Sequence, residues 1–169
     1  EQVYCPNSDQ LITTKLEIKN LNTTAVNSVY IQISIGYISS EDILKLNGTH
    51  PNINSFWDPI EAKLTLSTRS AGEVPNQDLI SAVENVVFSS TNPNPNINKT
   101  FSISLGSANY LPSTGHYYEF FPNISIPWTE AKISAENKSY YGIKGYLVTI
   151  LSQEEADISG KLTKGVGWI

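Results

Sequence analysis

A thiol nucleophile needs a base beside it, and this chain offers one cysteine, Cys5, with two histidines, His50 and His116. Neither histidine stands in a cysteine-hydrolase context, so no catalytic thiol is expected. Cys5 reads as a small, partly buried side chain near the N-terminus; in a secreted protein a leftover cysteine also suggests a partner beyond the chain or a free thiol. Glu154 and Glu155 are adjacent carboxylates. Glycoside hydrolysis needs two such groups converging at about 5 to 9 Å across a cleft, whereas neighbours in the first turn of a helix point different ways. They read as a solvated helix start. Asp58 and Glu61 are isolated acids, and a hard cation wants about six to eight oxygens. With no Asp-x-Asn-Asp or Asp-x-Asp cluster in the chain, both read as loop acids. Gly165-Val166-Gly167 precedes no helical pattern, which leaves a phosphate loop without its helix. The expectation is no catalytic residue, no cofactor-binding residue and no metal ligand, hence no enzyme.

Composition narrows the partners. The net charge is −5, with 40% apolar and 16% charged residues. This is globular composition, and its few scattered lysines and arginines argue against nucleic acid, whose phosphates demand clustered cations. No apolar run reaches the roughly 20 residues of a membrane span. The stretches Leu11–Ile18 and Val29–Ile38 are broken by polar residues. The chain has no methionine and opens at Glu1-Gln2-Val3-Tyr4, which implies a processed start or a piece of something longer, a removed export signal fitting best. Five Asn-x-Ser/Thr sequons, at Asn22, Asn47, Asn98, Asn123 and Asn137, read as chance in an Asn-rich sequence.

The elements that would position these residues are mostly strands. Val29, Ile31, Ile33 and Ile35 alternate with Tyr30, Gln32 and Ser34; Ala62, Leu64 and Leu66 alternate with Lys63, Thr65 and Ser67; Phe101, Ile103 and Leu105 alternate with Ser102 and Ser104. Period two buries one face of each. Between them Asn47-Gly48, His50-Pro51-Asn52, Asp58-Pro59 and Thr91-Asn92-Pro93-Asn94-Pro95-Asn96 carry turn chemistry, the pattern of a sandwich. One short helix interrupts, with Pro75 near its start and Leu79, Ile80, Val83 and Val86 on one stripe, before Val86–Ser90 returns to strand. Asn109–Gly115, with its Pro, Gly and small polar residues, reads as the boundary between residues 1–108 and 109–169. Beyond it, His116–Phe121 reads as a strand, a helix starts near Trp128 behind Pro127 with Ala131, Ala135 and the Tyr140-Tyr141 end inward, and Gly145–Ile150 gives a turn and a short strand. Ser152 with Glu155 forms a capping box that opens a second helix, Ala156 and Ile158 inside, Glu154 and Asp157 outside.

Two resemblances follow. Leu44–Ile53, the Trp57-Asp58 pair, Leu64–Ser67, Leu79–Val83, Val87–Ser90 and Thr100–Ile103 resemble the cadherin-like or immunoglobulin-like repeats of large bacterial surface proteins. Trp128-Thr129-Glu130-Ala131, then Gly145–Ser152 with Glu155, then Trp168-Ile169 resemble the opening half of a C-type lectin-like domain. The implied fold class is a mainly β, immunoglobulin/cadherin-like sandwich followed by a truncated α+β lectin-like segment. The resemblance makes Trp128, Leu147, Ile150 and Trp168 buried framework residues. That family usually carries a cysteine on its first helix; none is present here, so the segment looks like a disulfide-free bacterial variant. Its calcium ligands follow the Trp-Ile pair, so no residue here inherits them and calcium is possible only downstream of Ile169.

Together the resemblances imply the N-terminal part of a long, secreted cell-surface adhesin, similar to those of gliding Bacteroidetes exported by type IX secretion. The implied partners are a glycan or cell-surface ligand, through the complete lectin-like domain, and secretion or surface-assembly proteins. The alternatives are a non-sugar-binding spacer of a surface filament and the targeting module of a carbohydrate-active enzyme. Half a lectin-like core would also leave apolar surface that something else must cover.

Overall fold

The computed structural model describes residues 3–6, 8–17, 25–69, 74–105, 108–163 and 165–169. In chain order the elements are β1 (Gln10–Leu11), β2 (Ala25–Val26), β3 (Ser28–Ile35), β4 (Asp42–Leu46), β5 (Ile53–Asp58), β6 (Lys63–Thr68), β7 (Val74–Pro75), α1 (Asn76–Glu84), β8 (Val86–Ser90) and β9 (Thr100–Ser104). Then come β10 (Asn109–Leu111), β11 (His116–Tyr118), α2 (Trp128–Glu136), β12 (Ser139–Tyr140), β13 (Ile143–Lys144) and α3 (Gln153–Leu162). The chain is predominantly β.

Two sheets face each other over one core. One has the order β1-β8-β4 and the other β5-β6-β3-β9; β2 and β7 pair separately. Val29, Ile31 and Ile33 of β3, Leu44 of β4, Leu64 and Leu66 of β6 and Phe88 of β8 fill the space between them. Alternation in the sequence becomes alternation in burial because successive strand residues point to opposite faces. The first strand joins β8 in one layer while β9 joins β3 in the other, so the two ends of the sandwich belong to different sheets. Helix α1 begins behind Pro75 and sends Leu79 and Val83 into this core, as the stripe implies, and Ala82 besides; Ile80 is only half-buried. Ala62 lies outside β6, in a left-handed conformation of φ 54°, yet it is fully buried and its carbonyl accepts from the Ile33 N–H at 2.9 Å.

Burial departs from simple alternation in β3 at two residues, Ile35 through a bulge and Gln32 through a covering hairpin. The register against β9 slips between Ile33 and Ile35, where Ile33 faces Phe101 and Ile35 faces Thr100. A bulge of one residue turns everything after it to the other face. Ile35 therefore leaves the sandwich core and packs on the outer side with Leu111, Tyr118, Ile158 and Leu162. Gln32, expected at the surface, is buried there as well. Its cross-strand neighbours Lys63 and Ser102 bond to the covering hairpin, Lys63 Nζ to Asn109 Oδ1 at 3.2 Å and Ser102 Oγ to the Tyr110 carbonyl at 3.5 Å.

That hairpin pairs β10, which lies in the stretch expected to be a bare connection, with β11, which opens the stretch expected to be a strand. Tyr110 pairs with Tyr117 and Leu111 with His116; the turn closes on Gly115, whose φ of 70° suits a residue without a Cβ. The strand expected over His116–Phe121 stops at Tyr118. Gly145–Ile150, expected to include a short strand, makes no ladder among the described residues; the nearby pairing is the hairpin of β12 and β13. Helix α2 does begin at Trp128 behind Pro127, and α3 begins behind Ser152, whose Oγ accepts from the Glu155 N–H at 3.1 Å. Ile158 is buried, Ala156 half-buried, and Glu154 and Asp157 exposed, as the capping-box reading implies. Ala131 and Ala135, expected inward, are half-exposed, and α2 buries no residue at all.

Candidate interaction surface

The residues singled out for chemistry lie apart. Cys5 is an exposed free thiol and not partly buried, because the N-terminal segment is held through its neighbour: Tyr4 Oη donates to the Ser90 carbonyl and accepts from the Ser90 N–H, both at 2.9 Å. His50 closes its own turn, with Nε2 3.1 Å from the Asn47 carbonyl. His116 sits at the end of the β10–β11 hairpin with Nδ1 3.1 Å from Tyr146 Oη. Asp58 Oδ1 accepts from the Ile60 and Glu61 N–H groups at 2.8 and 3.1 Å, an Asx turn that uses the carboxylate locally. Glu61 is paired with Lys63. Among the described residues no three His, Cys, Asp or Glu side chains converge as metal ligands. Gly165-Val166-Gly167 lies after the last helix, in an exposed segment.

Glu154 and Glu155 diverge. Glu154 is exposed and accepts from Ser113 Oγ. Glu155 turns inward, where Oε1 accepts from Tyr118 Oη at 2.8 Å and Oε2 from the Leu151 N–H at 2.8 Å. The Leu151 N–H and then the Tyr118 hydroxyl hold its carboxyl below the ordinary value. Burial, ahead of the neighbouring carboxylate, pushes the Tyr118 hydroxyl up to about 12. This pair joins the cap of α3 to the second core.

What the C-terminal block offers at its surface is aromatic. Tyr110 and Tyr117, cross-strand partners on one face of the hairpin, lie 4.8 Å apart between ring centroids; Tyr117 lies 4.9 Å from Tyr140, and Tyr140 4.9 Å from Tyr141. Burial pushes the Tyr140 hydroxyl up to about 12, whereas Tyr141 at the end of the row is 72% exposed. Tyr141 and Gly142 form the two-residue loop between β12 and β13, with φ of 48° and 82°. Positive φ at both positions is the requirement of a type I′ turn, where Asn-Gly is the favoured pair and a bulky first residue is strained. The Tyr140-Tyr141 end was expected to face inward; Tyr140 is half-buried, but Tyr141 turns outward because it occupies the hairpin loop.

The two tryptophans of the block clasp each other's segments. Trp128 Nε1 donates to the Ile169 carbonyl at 3.1 Å, and Trp168 Nε1 donates to the Ile126 carbonyl at 2.6 Å. Both were expected in a core, yet the two residues are 44% and 50% exposed, and α2, which carries Trp128, has no buried residue. Leu147 and Ile150 are half-buried. Phe121, Ile124, Ile133, Leu151 and Val166 add to the exposed apolar area. Exposed aromatic rings are suited to stacking and apolar burial.

No protein-family model matches the chain, and no solved structure matches it. Among curated proteins it is similar to Halomucin of Haloquadratum walsbyi (strain DSM 16790 / HBSQ001), 27% identical over 168 residues. The match takes in 94% of this chain and spans 2% of the length of that far longer protein.

Proposed function

We propose that this chain is a module of a long extracellular surface protein, a β-sandwich unit that carries a contact surface for glycans or another surface on its C-terminal block. The observation that carries the reading is the exposed aromatic surface, above all Tyr141, placed in a strained left-handed turn position where a smaller residue would sit at lower energy. Strain kept at an exposed aromatic is reasonably sought in function. The similarity to a much longer protein named as a mucin supports the modular, cell-surface part of the reading. The order of α2, α3 and the Trp168-Ile169 pair supports the lectin-like resemblance; gliding and type IX export rest on resemblance alone. No catalytic step, metal or cofactor is assigned to this segment.

The test is retention of the purified chain on insoluble cellulose and chitin and its retardation in gels containing mannan or hyaluronan. Binding to at least one is expected, weakened about tenfold, or about 1.4 kcal/mol, by Tyr141→Asn. Asparagine suits the turn but forfeits the bond from the Tyr141 hydroxyl to the Leu105 carbonyl, so Tyr141→Phe, which loses that bond and keeps the ring, is run beside it and should retain binding. Binding unaffected by Tyr141→Asn would overturn the assignment of the surface. No binding at all would favour a second reading, a spacer without glycan contact. That reading is supported by the tryptophans, whose indole N–H groups are spent on the chain's own carbonyls.

A further inference from the structure

At one end of the sandwich a lysine and an aspartate meet out of water. Asp42 opens β4, its side chain 0% exposed, and Lys99, just before β9, has a side chain 11% exposed; Nζ and Oδ2 are 2.6 Å apart. Lys99 Nζ also donates to the Gly36 carbonyl at 2.6 Å, and Asp42 Oδ2 accepts from the Ile38 N–H at 2.8 Å. Asp42 Oδ1 is buried and has no hydrogen-bond partner. A buried carboxylate with one oxygen unsatisfied is a poor resting place for charge, since desolvation cost is offset only when both oxygens are bonded. Against Lys99 lies a cavity of about 10 Å³, lined also by Ile38, Glu41, Ser90 and Asn92 among others, about the size of one water.

We propose that Lys99 and Asp42 condense spontaneously to an intramolecular isopeptide bond. For the reaction the ammonium passes one proton to Oδ1, leaving an amine against a carboxylic acid whose carbonyl oxygen is Oδ2. Rotation of the carboxyl about Cβ–Cγ brings Nζ over Cγ. The nitrogen lone pair forms the N–C bond while the C=O π pair moves onto Oδ2, where the Ile38 N–H receives the developing charge. A second proton passes from nitrogen to Oδ1, the C–Oδ1 bond breaks with its electron pair on oxygen, and the carbonyl to Oδ2 reforms. One water leaves, and the charges +1 and −1 become a neutral amide. The oxygen lost is the unpartnered one. Both existing bonds survive in the product, since the amide N–H still faces the Gly36 carbonyl and the amide oxygen still accepts from Ile38. Holding the two groups in contact supplies the effective concentration that a bimolecular condensation lacks. The proposal is independent of what the C-terminal block binds.

Intact-mass spectrometry of the purified full chain is expected to show a mass below the sequence value by one water. A protease map should contain a branched peptide joining the segment with Lys99 to the segment with Asp42. Lys99→Arg and Asp42→Ala should each abolish the branched peptide. Cyclisation of Glu1 or of an aspartate to a succinimide also loses water, but neither yields a branched peptide and both persist in Lys99→Arg. Wild-type chain of full sequence mass, or a water loss without the branched peptide, overturns the proposal. Because the wild-type map decides, a variant that fails to fold leaves the test intact.

Discussion

Glu155 is the residue through which acid reaches the second core. Its carboxyl sits below its ordinary value of 4.5, held there first by the Leu151 N–H and next by the Tyr118 hydroxyl, so the folded chain favours the ionised form. A depressed carboxylate contributes stability that is complete above the unfolded pKa and disappears as pH falls through the lower folded value. Wild type should therefore lead Glu155→Gln in Tm at neutral pH, with the lead shrinking below about pH 4.5. A lead that persists in acid would show that Glu155 acts through packing alone. Gly36 is constrained differently: its φ is 80°, and a Cβ there would stand 2.3 Å from the Asn98 carbonyl oxygen. Gly36→Ala should cost roughly 1 to 3 kcal/mol, read as a fall in the denaturant midpoint. The sequence shows Glu155 as a cap because Ser-x-x-Glu is local. It does not show the bond to Tyr118, which depends on where two distant elements dock.

Between elements, the contrast of the two short helices is the sharper test of what holds this fold. Both have nine residues, too few to stand alone in water. Helix α1 is fixed by Leu79, Ala82 and Val83, all fully buried, whereas α2 has no buried side chain. Leu79→Ala should destabilise the chain by about 2 to 5 kcal/mol, while Ile133→Ala should stay within about 0.5 kcal/mol. Amide exchange should follow the same division, slow in α1 and fast in α2. Comparable protection in both would mean that α2 is covered in solution. The sandwich strands were legible because period two is written into each of them, and α1 because its stripe and Pro75 agree. The partners were not legible, and neither was the slip at Ile33/Ile35, which reverses one isoleucine without any change in pattern.

For the molecule as a whole, the second core is a joint product. Leu111, Tyr118, Ile158 and Leu162 come from the C-terminal block, but Ile35 comes from the sandwich, and the Tyr141 hydroxyl donates to the Leu105 carbonyl at 3.3 Å. Residues 1–108 keep the whole first core and should fold alone with a dispersed amide spectrum, shifted from the full chain chiefly at Gln32, Ile35 and Ser102. Residues 109–169 lose the surface on which they pack and should be molten or aggregated by themselves. A cooperative thermal transition for that isolated block would sink this account of its stability. The tyrosine row was the least legible feature. Tyr110, Tyr117, Tyr140 and Tyr141 come together only after two hairpins close and dock, an event that no spacing along the chain records.

The tyrosine row has an optical consequence. Four phenol rings follow one another at centroid separations of 4.8 to 4.9 Å, none parallel to the next. Electronic transitions on chromophores so close and so inclined mix, and a chiral arrangement of mixed transitions gives strong dichroism in the near ultraviolet. Two hairpins create that signal only while they are docked, whereas a block with loosened packing loses it and keeps its far-ultraviolet spectrum. The protein thus carries its own chromophore for the state of its C-terminal half, readable without a label and attached to the surface where a partner would be felt.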